Sequence, residues 1–554
     1  MRDHTHDVFN QSSPFEDVNL FDINRPLQDA LRLHAPTLDT TALRALGAEV
    51  GSAEMQRHAR LANHVKPVLH AHDMRGRRID EVEFHPSYHA LLGAALRHGL
   101  HGTPWAAGRG AHLERAAGFL TFTELEPSVL CPVSMTYAVT PALRANASLH
   151  AAFGPLLGAT RYDERFVPAT AKTAVTMGMG MTEKQGGSDV RANTTRADFE
   201  GDDAWGRRFS VTGHKWFMSA PMCDAFLVVA QTPAGPSCFF LPRFRLDGTL
   251  NAMRVQRLKD KLGNHANASS EVEFHGASAW LVGEEGRGLP QILAMGALTR
   301  LDCALGTAGL MRQALSLAIH HAGERRAFGR RLAEQPLMKN VLADLALESE
   351  AATALAMRVA RTVDVTEHPD GLDADTLEAE AMLRRVLTPV AKFWVCKRGS
   401  HFAQEAMECL GGNGYVEAAG EGVMARIYRE MPLNSIWEGA GNIMALDLQR
   451  AMRGGPLHEV LAREIAPARG AHAALDRAAD RLLADVAAGA EEAQGRRLAR
   501  DIALVVQGAL LARTAPDAVF SAFCSSRLSQ ASDAFGLLPA GIDLDAIVDR
   551  ARPA

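Results

Sequence analysis

Residues 179–190 read MGMTEKQGGSDV, and the chain changes character there. On the N-terminal side, from 26 to about 171, several stretches place apolar residues at helical spacing, broken by Gly and Pro as at Gly102-Thr103-Pro104. On the C-terminal side, up to Gly283, come short runs of strand type at 208–212, 225–231, 238–242 and 270–275. Clusters of Gly, Pro, Asn and Asp separate them, the pattern of a compact antiparallel β domain. After Gly288 helix returns: Leu301, Ala304, Leu305, Ala308, Met311, Leu315, Ala318 and Ile319 keep i, i+3/i+4 spacing. Three more helices are expected around 336–364, 374–396 and 399–410, the last closed by the stop signals Gly411-Gly412-Asn413-Gly414. Gly454-Gly455-Pro456 marks a boundary before an Ala- and Arg-rich helical segment. The order is α, β, α, α, a mainly α chain with a central β domain. The expected divisions are 1–178, 179–285, 286–453 and 454–554.

The chain has 554 residues, 47% hydrophobic and 22% charged. That is too long for one core and too apolar for disorder. No stretch approaches the roughly 18 uncharged apolar residues of a membrane helix. The N-terminal MRDHTHDVFNQ lacks an apolar signal core, so a soluble cytoplasmic protein is expected. Seven scattered cysteines, with no CxxC pair, point to buried reduced thiols and no metal site. A net charge of −5 excludes a globally basic nucleic-acid binder but leaves room for a local basic face.

Four stretches carry chemistry. In the 179–190 turn, Thr182 and Ser188 flank Gly186-Gly187, where a chain without Cβ atoms can approach a ligand closely. The N–H groups of such a turn suit a pyrophosphate, although an ordinary turn reads the same way. The segment GHKWFMS, 213–219, offers a Trp-Phe wall for an aromatic group and the Ser219 hydroxyl, or is simply a half-buried strand. RRAFG, 325–329, with Gln335 beyond it, places Arg325 at a helix end, where it suits phosphate or water. In NSIWEGAGNIM, 434–444, Glu438 sits between Trp437 and Gly439 in an apolar turn. Desolvation there raises a carboxyl pKa and makes a base near neutral pH.

The TE-x-x-GGSD turn, the Gly-x-Lys-x-aromatic strand, the R-x-x-FG helix end, the GG-x-GY turn and the final Glu-Gly loop occur in that order. Together, over residues 100 to 450, they resemble the acyl-CoA dehydrogenase family. The resemblance implies an α–β–α architecture with FAD between the β domain and the C-terminal helical bundle. It implies that Met179, Gly180, Met181, Thr182, Glu183, Gly186, Gly187 and Ser188 line the flavin, Thr182 near the pyrimidine and Ser188 near the pyrophosphate. Phe217, Met218 and Ser219 correspond to the segment beside the isoalloxazine. Arg325, Gln335, Gly411 and Gly412 correspond to residues that reach the cofactor of a neighbouring subunit, which implies a homo-oligomer, a dimer of dimers. Ile436, Trp437, Gly439, Asn442 and Leu446 belong to the loop that closes over the flavin. Glu438 takes the place of the catalytic base. The family's alternative base position is here Thr299, before Arg300, and a threonine cannot serve.

THDVFNQ, GRRIDEVEFHPSYH, RLKDKLGN and REMPLNSIWEGAGNIM resemble more closely the branch of that family tied to the adaptive response to DNA alkylation, including an additional C-terminal domain. That resemblance implies binding of double-stranded DNA, which would be protected, and possible inactivation of alkylating agents, with at most weak activity on an acyl-CoA-like substrate. From residue 451 onward there are 12 Arg, no Lys and 13 acidic residues, so a phosphate-facing surface would need arginines gathered on one face. Arg450, Arg453, Arg477, Arg481, Arg496, Arg497 and Arg500 are the candidates. The alternative is an ordinary acyl-CoA dehydrogenase with no DNA role.

Overall fold

The computed structural model describes residues 5–418, 422–529 and 533–553; the first four residues of the polar N-terminus lie outside them. The chain forms two compact units, one of residues 57–302 and one of residues 1–56 with 303–554.

The 57–302 unit begins with a hairpin of β1 (Val68–His72) and β2 (Arg78–Glu83). Buried helices at Pro86–Arg97, Ala111–Leu125 and Leu130–Ala138 follow. Arg115 is clamped by both oxygens of Asp302, which also accepts from Ser134 Oγ at 2.6 Å. The sheet contains β3 (Met177–Gly180), β4 (Arg196–Asp203), β5 (Gly206–Met218), β6 (Ala225–Thr232), β7 (Gly235–Pro242), β8 (Met253–Leu258) and β9 (Ser270–Val282). Their order is β3-β6-β4-β5-β9-β7, with β8 on β9. An additional β6–β7 pairing closes the ring β6-β4-β5-β9-β7, in which β4 meets β6 through one residue pair, Arg196 opposite Gln231. Phe209, Phe226, Phe239, Phe274 and Met218 fill the core of this sheet. Truncating one such Phe to Ala costs about 3–5 kcal/mol.

This sheet is mixed, whereas the strand runs had suggested an antiparallel one. β3 lies parallel to β6, with Met177 opposite Ala225 and Gly180 opposite Val228. A four-residue strand reached from a long non-hairpin connection carries no signal of direction in its side chains. β4 and β8 are absent from the sequence reading because their exposed faces are charged (RADFEGDD and MRVQRL), which hides the alternation.

The other unit is helical. Its elements include α1 (Arg25–His34), the 303–324 part of α2 (Gly288–Glu324), α3 (Pro336–Glu367), α4 (Ala374–Cys409), α5 (Gly441–Met452), α6 (Leu457–Ile465), α7 (Ala473–Ala488), α8 (Gly495–Thr514) and α9 (Leu544–Ala551). α4 replaces the two helices expected at 374–396 and 399–410. Lys397 and Arg398 interrupt the apolar pattern there but are good helix formers, so no stop exists. α8 packs against α3, α4, α5 and α7, which builds the Ala- and Arg-rich segment onto the bundle. All seven cysteines are buried and unbridged. Among the described residues no group could hold a metal ion, and no helix is long and apolar enough to cross a membrane.

Candidate active site

In the 57–302 unit, β3 runs directly into the 179–190 turn. Reciprocal N–H···O bonds between Glu183 and Gly186, at 3.2 and 3.0 Å, tighten it, and Gly186 has φ of +148°. A Cβ on Gly187 would stand 2.4 Å from Thr182 Oγ1, so only glycine lets the two arms of the turn close. Gly186 and Ser188 are exposed, while Thr182 and Gly187 are half-buried.

The Glu183 side chain points the other way. Its carboxylate is fully buried, 2.8 Å from the equally buried Lys215 Nζ, and accepts from Thr194 N–H at 2.7 Å, Thr194 Oγ1, Gln185 Nε2 and Thr195 N–H. Lys215 also donates to Val229 C=O at 2.8 Å. Burial alone would push the Glu183 carboxyl up, but the Lys215 ammonium and these hydrogen bonds outweigh it and hold it well below the usual carboxylate range. Burial likewise lowers the Lys215 pKa against the pull of Glu183. The sequence assigned Lys215 no role, yet it ties the turn to the sheet.

Beyond Lys215 the β5–β9 register slips between Lys215 and Met218, which frees Trp216 and Phe217 from pairing. Such a bulge re-aims side chains. Phe217 is 49% exposed, whereas Met218 is buried in the sheet core and offers a ligand no side chain. The Ser219 hydroxyl accepts from Met179 N–H at 2.9 Å and donates to Met179 C=O at 3.2 Å. A Cβ on Gly180 would meet Met218 Sδ at 2.4 Å, so Gly180 belongs to packing. Met179 is buried and Met181 half-buried.

In the helical unit, residues 431–440 form the turn before α5. Glu438 is half-buried and adopts φ of +60°, rare for a residue with a Cβ and costing about 1–2 kcal/mol. Two devices hold it. Trp437 Nε1 donates to Asn434 Oδ1 at 2.9 Å, Asn434 Nδ2 to Thr307 Oγ1 at 3.1 Å, and Thr307 Oγ1 to Cys303 C=O at 2.8 Å. On the other side, buried Lys392 of α4 donates to Gly439 C=O. Lys392 and Thr307 lie far away in sequence on regular helices, and nothing there marked them. Ile436 is 62% exposed, Asn442 is exposed and Leu446 is half-buried. Thr299 is buried in its own helix, bonded to Gly296 C=O.

The third motif packs onto the N-terminal arm. Arg325 donates to Asn10 C=O, Arg326 N–H to Asn10 Oδ1 at 2.7 Å, and Gln335 Nε2 to Ala327 C=O at 3.1 Å. Asn413, beside Gly411 and Gly412, donates to Gln11 at 3.1 Å, so the arm and both motifs are neighbours. Both glycines are exposed.

All seven candidate arginines are exposed. Arg497 pairs with Asp485 at 3.0 Å and Arg500 with Asp501 at 2.7 Å. Arg496 lies 5.4 Å over the Phe393 ring. Among the described residues, Arg450, Arg453, Arg477, Arg481 and Arg496 form no ion pair.

Helices before and after a β sheet with a glycine turn at its entry, and a glutamate loop in the later helices, are the features of a flavoprotein dehydrogenase fold. The chain belongs to the acyl-CoA dehydrogenase family. Residues 10–164 match the family described as adaptive response protein AidB N-terminal domain, residues 178–277 the acyl-CoA dehydrogenase middle domain, and residues 286–453 its C-terminal domain. It is 45% identical to the putative acyl-CoA dehydrogenase AidB of Escherichia coli K12, over 95% of this chain and 94% of that one. Two solved structures share its fold. Bd2924 in its apo form is 30% identical with a TM-score of 0.82, covering 92% of this chain and 100% of its own. Caenorhabditis elegans ACDH-11 in complex with C11-CoA is 25% identical with a TM-score of 0.82, covering 99% and 93%.

Proposed function

We propose that the protein is an FAD-dependent oxidoreductase acting on CH–CH groups of an acyl-CoA-like substrate, with Glu438 as its base. The observation that carries this is the Glu438 loop: a carboxylate in a left-handed conformation, braced by Lys392 and by the Trp437–Asn434–Thr307 chain. Strain of this kind persists where surrounding contacts over-determine it, as at working sites. The 179–190 turn fits FAD on its own geometry. Its glycines keep the backbone bare, and the amide groups of Gly187 and Ser188 have no acceptor among the described residues, as a pyrophosphate would require. Phe217, released by the bulge, offers an exposed aromatic ring, with the Lys259 ammonium 4.5 Å over its centroid. FAD, when bound, supplies the acceptor for a hydride from the β-carbon. Glu438 takes the proton from the α-carbon. Lys215 and Glu183 fix the turn from behind, and the Ser219 hydroxyl keeps Met179 in place.

The resemblance of the R-x-x-FG and GG-x-GY motifs to the family pattern supports a homo-oligomer, and the Arg325, Gln335 and Gly411–Gly412 surfaces are the candidate contacts with a second copy. A second reading, DNA binding in the response to alkylation, is favoured by the exposed arginines 450, 453, 477, 481 and 496, which have no carboxylate partners among the described residues. In this reading residues 454–554 form an additional helical domain. Anaerobic mixing of the flavin-loaded protein with saturated acyl-CoA thioesters tests the first reading. Bleaching of the flavin absorbance in wild type and its loss in Glu438→Gln are expected. No bleaching with any chain length would overturn it and leave DNA binding as the function.

A further inference from the structure

Helices α1, α3, α4, α6 and α8 enclose a cavity of about 410 Å3 in the 1–56/303–554 unit. Four guanidiniums line it, those of Arg358, Arg361, Arg463 and Arg513, against the carboxylates of Glu380 and Glu464 and the imidazole of His34.

The deepest of these groups satisfy one another. Arg358, buried on α3, donates to both oxygens of Glu380 at 2.8 and 3.1 Å and to both of Glu464 at 2.7 and 2.8 Å. Arg361 shares Glu380. Two positive and two negative groups therefore cancel at the floor. Arg463 donates to Thr376 Oγ1 at 3.3 Å and feels the neighbouring Asp373. Arg513, on α8, makes no hydrogen bond or ion pair among the described residues, and neither ring nitrogen of His34 has a partner among them. Burial, then the positive field of Arg358, Arg361 and Arg513, holds the His34 pKa well below its usual value, so the ring is neutral and keeps one N–H to donate.

A recess between helices thus holds a guanidinium with no counter-charge, a second one only partly engaged, and an imidazole with an unused donor. Arg463 and Arg513 line this recess while staying exposed to solvent, so their forks are free to meet an anion seated there. Donors arriving from three helices suit a tetrahedral anion with several acceptor oxygens better than a flat carboxylate, which one fork satisfies. The volume admits a pyrophosphate or a phosphate monoester but not a duplex. We propose that this cavity is a binding site for a small phosphate-bearing anion, gripped by Arg513 and Arg463 with the His34 N–H. None of its residues belongs to the flavin turn, the Glu438 loop or the seven arginines discussed above.

Calorimetric titration of the full-length, flavin-loaded protein with inorganic phosphate and with pyrophosphate, at constant ionic strength, tests this. Saturable binding at one site per chain is expected, with pyrophosphate the tighter. Arg513→Gln should weaken it by about tenfold and Arg513→Glu abolish it, because a charge-assisted fork is removed in one and reversed in the other. Arg513 has no partner in the fold among the described residues, so both variants should keep the wild-type melting temperature; Arg463→Gln provides a second, independent loss of affinity. No saturation at about 10 mM, where even millimolar affinity would register, would overturn the proposal. So would unchanged binding in both Arg513 variants. Displacement of pyrophosphate by a short DNA duplex would also overturn it, by assigning the recess to backbone phosphate instead.

Discussion

The ammonium of Lys392 donates to the carbonyl of Gly439, one residue past Glu438. A buried cation tied to a main-chain oxygen is an expensive way to secure a loop, and it fixes the segment where Glu438 adopts a left-handed conformation. Replacing it with methionine of similar length removes the tie and little volume. In Lys392→Met, amide hydrogen exchange at 436–440 should rise by about tenfold or more, while the rest of α4 stays protected. If Glu438 is the base, kcat should fall with KM little changed, and Lys392→Arg should recover part of it. Unchanged exchange would mean that the Asn434–Trp437 chain holds the loop alone.

The Glu183–Lys215 pair makes a prediction about pH. Both side chains are fully buried, so Glu183→Gln leaves an unpaired ammonium and should cost about 3–5 kcal/mol near neutral pH. The folded state holds the carboxyl below its ordinary value of about 4.3. Its contribution is therefore fully present above that value and drains away as pH falls through the folded-state pKa. Urea denaturation of wild type and variant should converge on acidification. A gap that widens toward low pH would contradict the assignment.

The α–β–α order, the long helix after Gly288 and the burial of every cysteine were legible because periodicity and composition report burial along the chain. Glu438 and the glycine turn stood out for the same local reason, a chemically unusual residue in a short irregular stretch. The partners that decide what these residues do were not legible. Lys392 lies on a regular helix, Thr307 on another, and the commitment of Glu183 to Lys215 rests on a contact 32 positions apart in sequence. Strand direction was hidden likewise, since β3 pairs in parallel with a strand that begins 48 residues later. Side-chain pattern records which face is buried, not against what.

Gly187 tests the turn directly. Gly187→Ala would drive a methyl group into the Thr182 hydroxyl, 2.4 Å away, on a surface loop rather than in the core. Strain of that size in a surface turn should lower the melting temperature only slightly. If the turn holds FAD, purified Gly187→Ala should carry markedly less flavin per chain than wild type, measured by absorbance after denaturation, and added FAD should restore it only in excess. Full occupancy would remove the turn from the cofactor site.

The arginine surface divides into paired and unpaired residues, and the two groups should behave differently toward duplex DNA. Arg497 and Arg500 already face Asp485 and Asp501, so a phosphate must compete with a carboxylate for each. Arg477 and Arg481, one turn apart on α7, meet no such competitor among the described residues. Removing an arginine that touches a phosphate lowers the slope of log affinity against log salt by about 1. The double variant Arg477→Gln/Arg481→Gln should therefore weaken binding and reduce that slope by about 2, uniformly across DNA sequences. Arg497→Gln/Arg500→Gln should change the slope far less, because guanidiniums already engaged by Asp485 and Asp501 neutralise no phosphate. Equal effects from both pairs would mean that the acidic partners swing away on binding. No effect from either would place DNA elsewhere on the chain or exclude it.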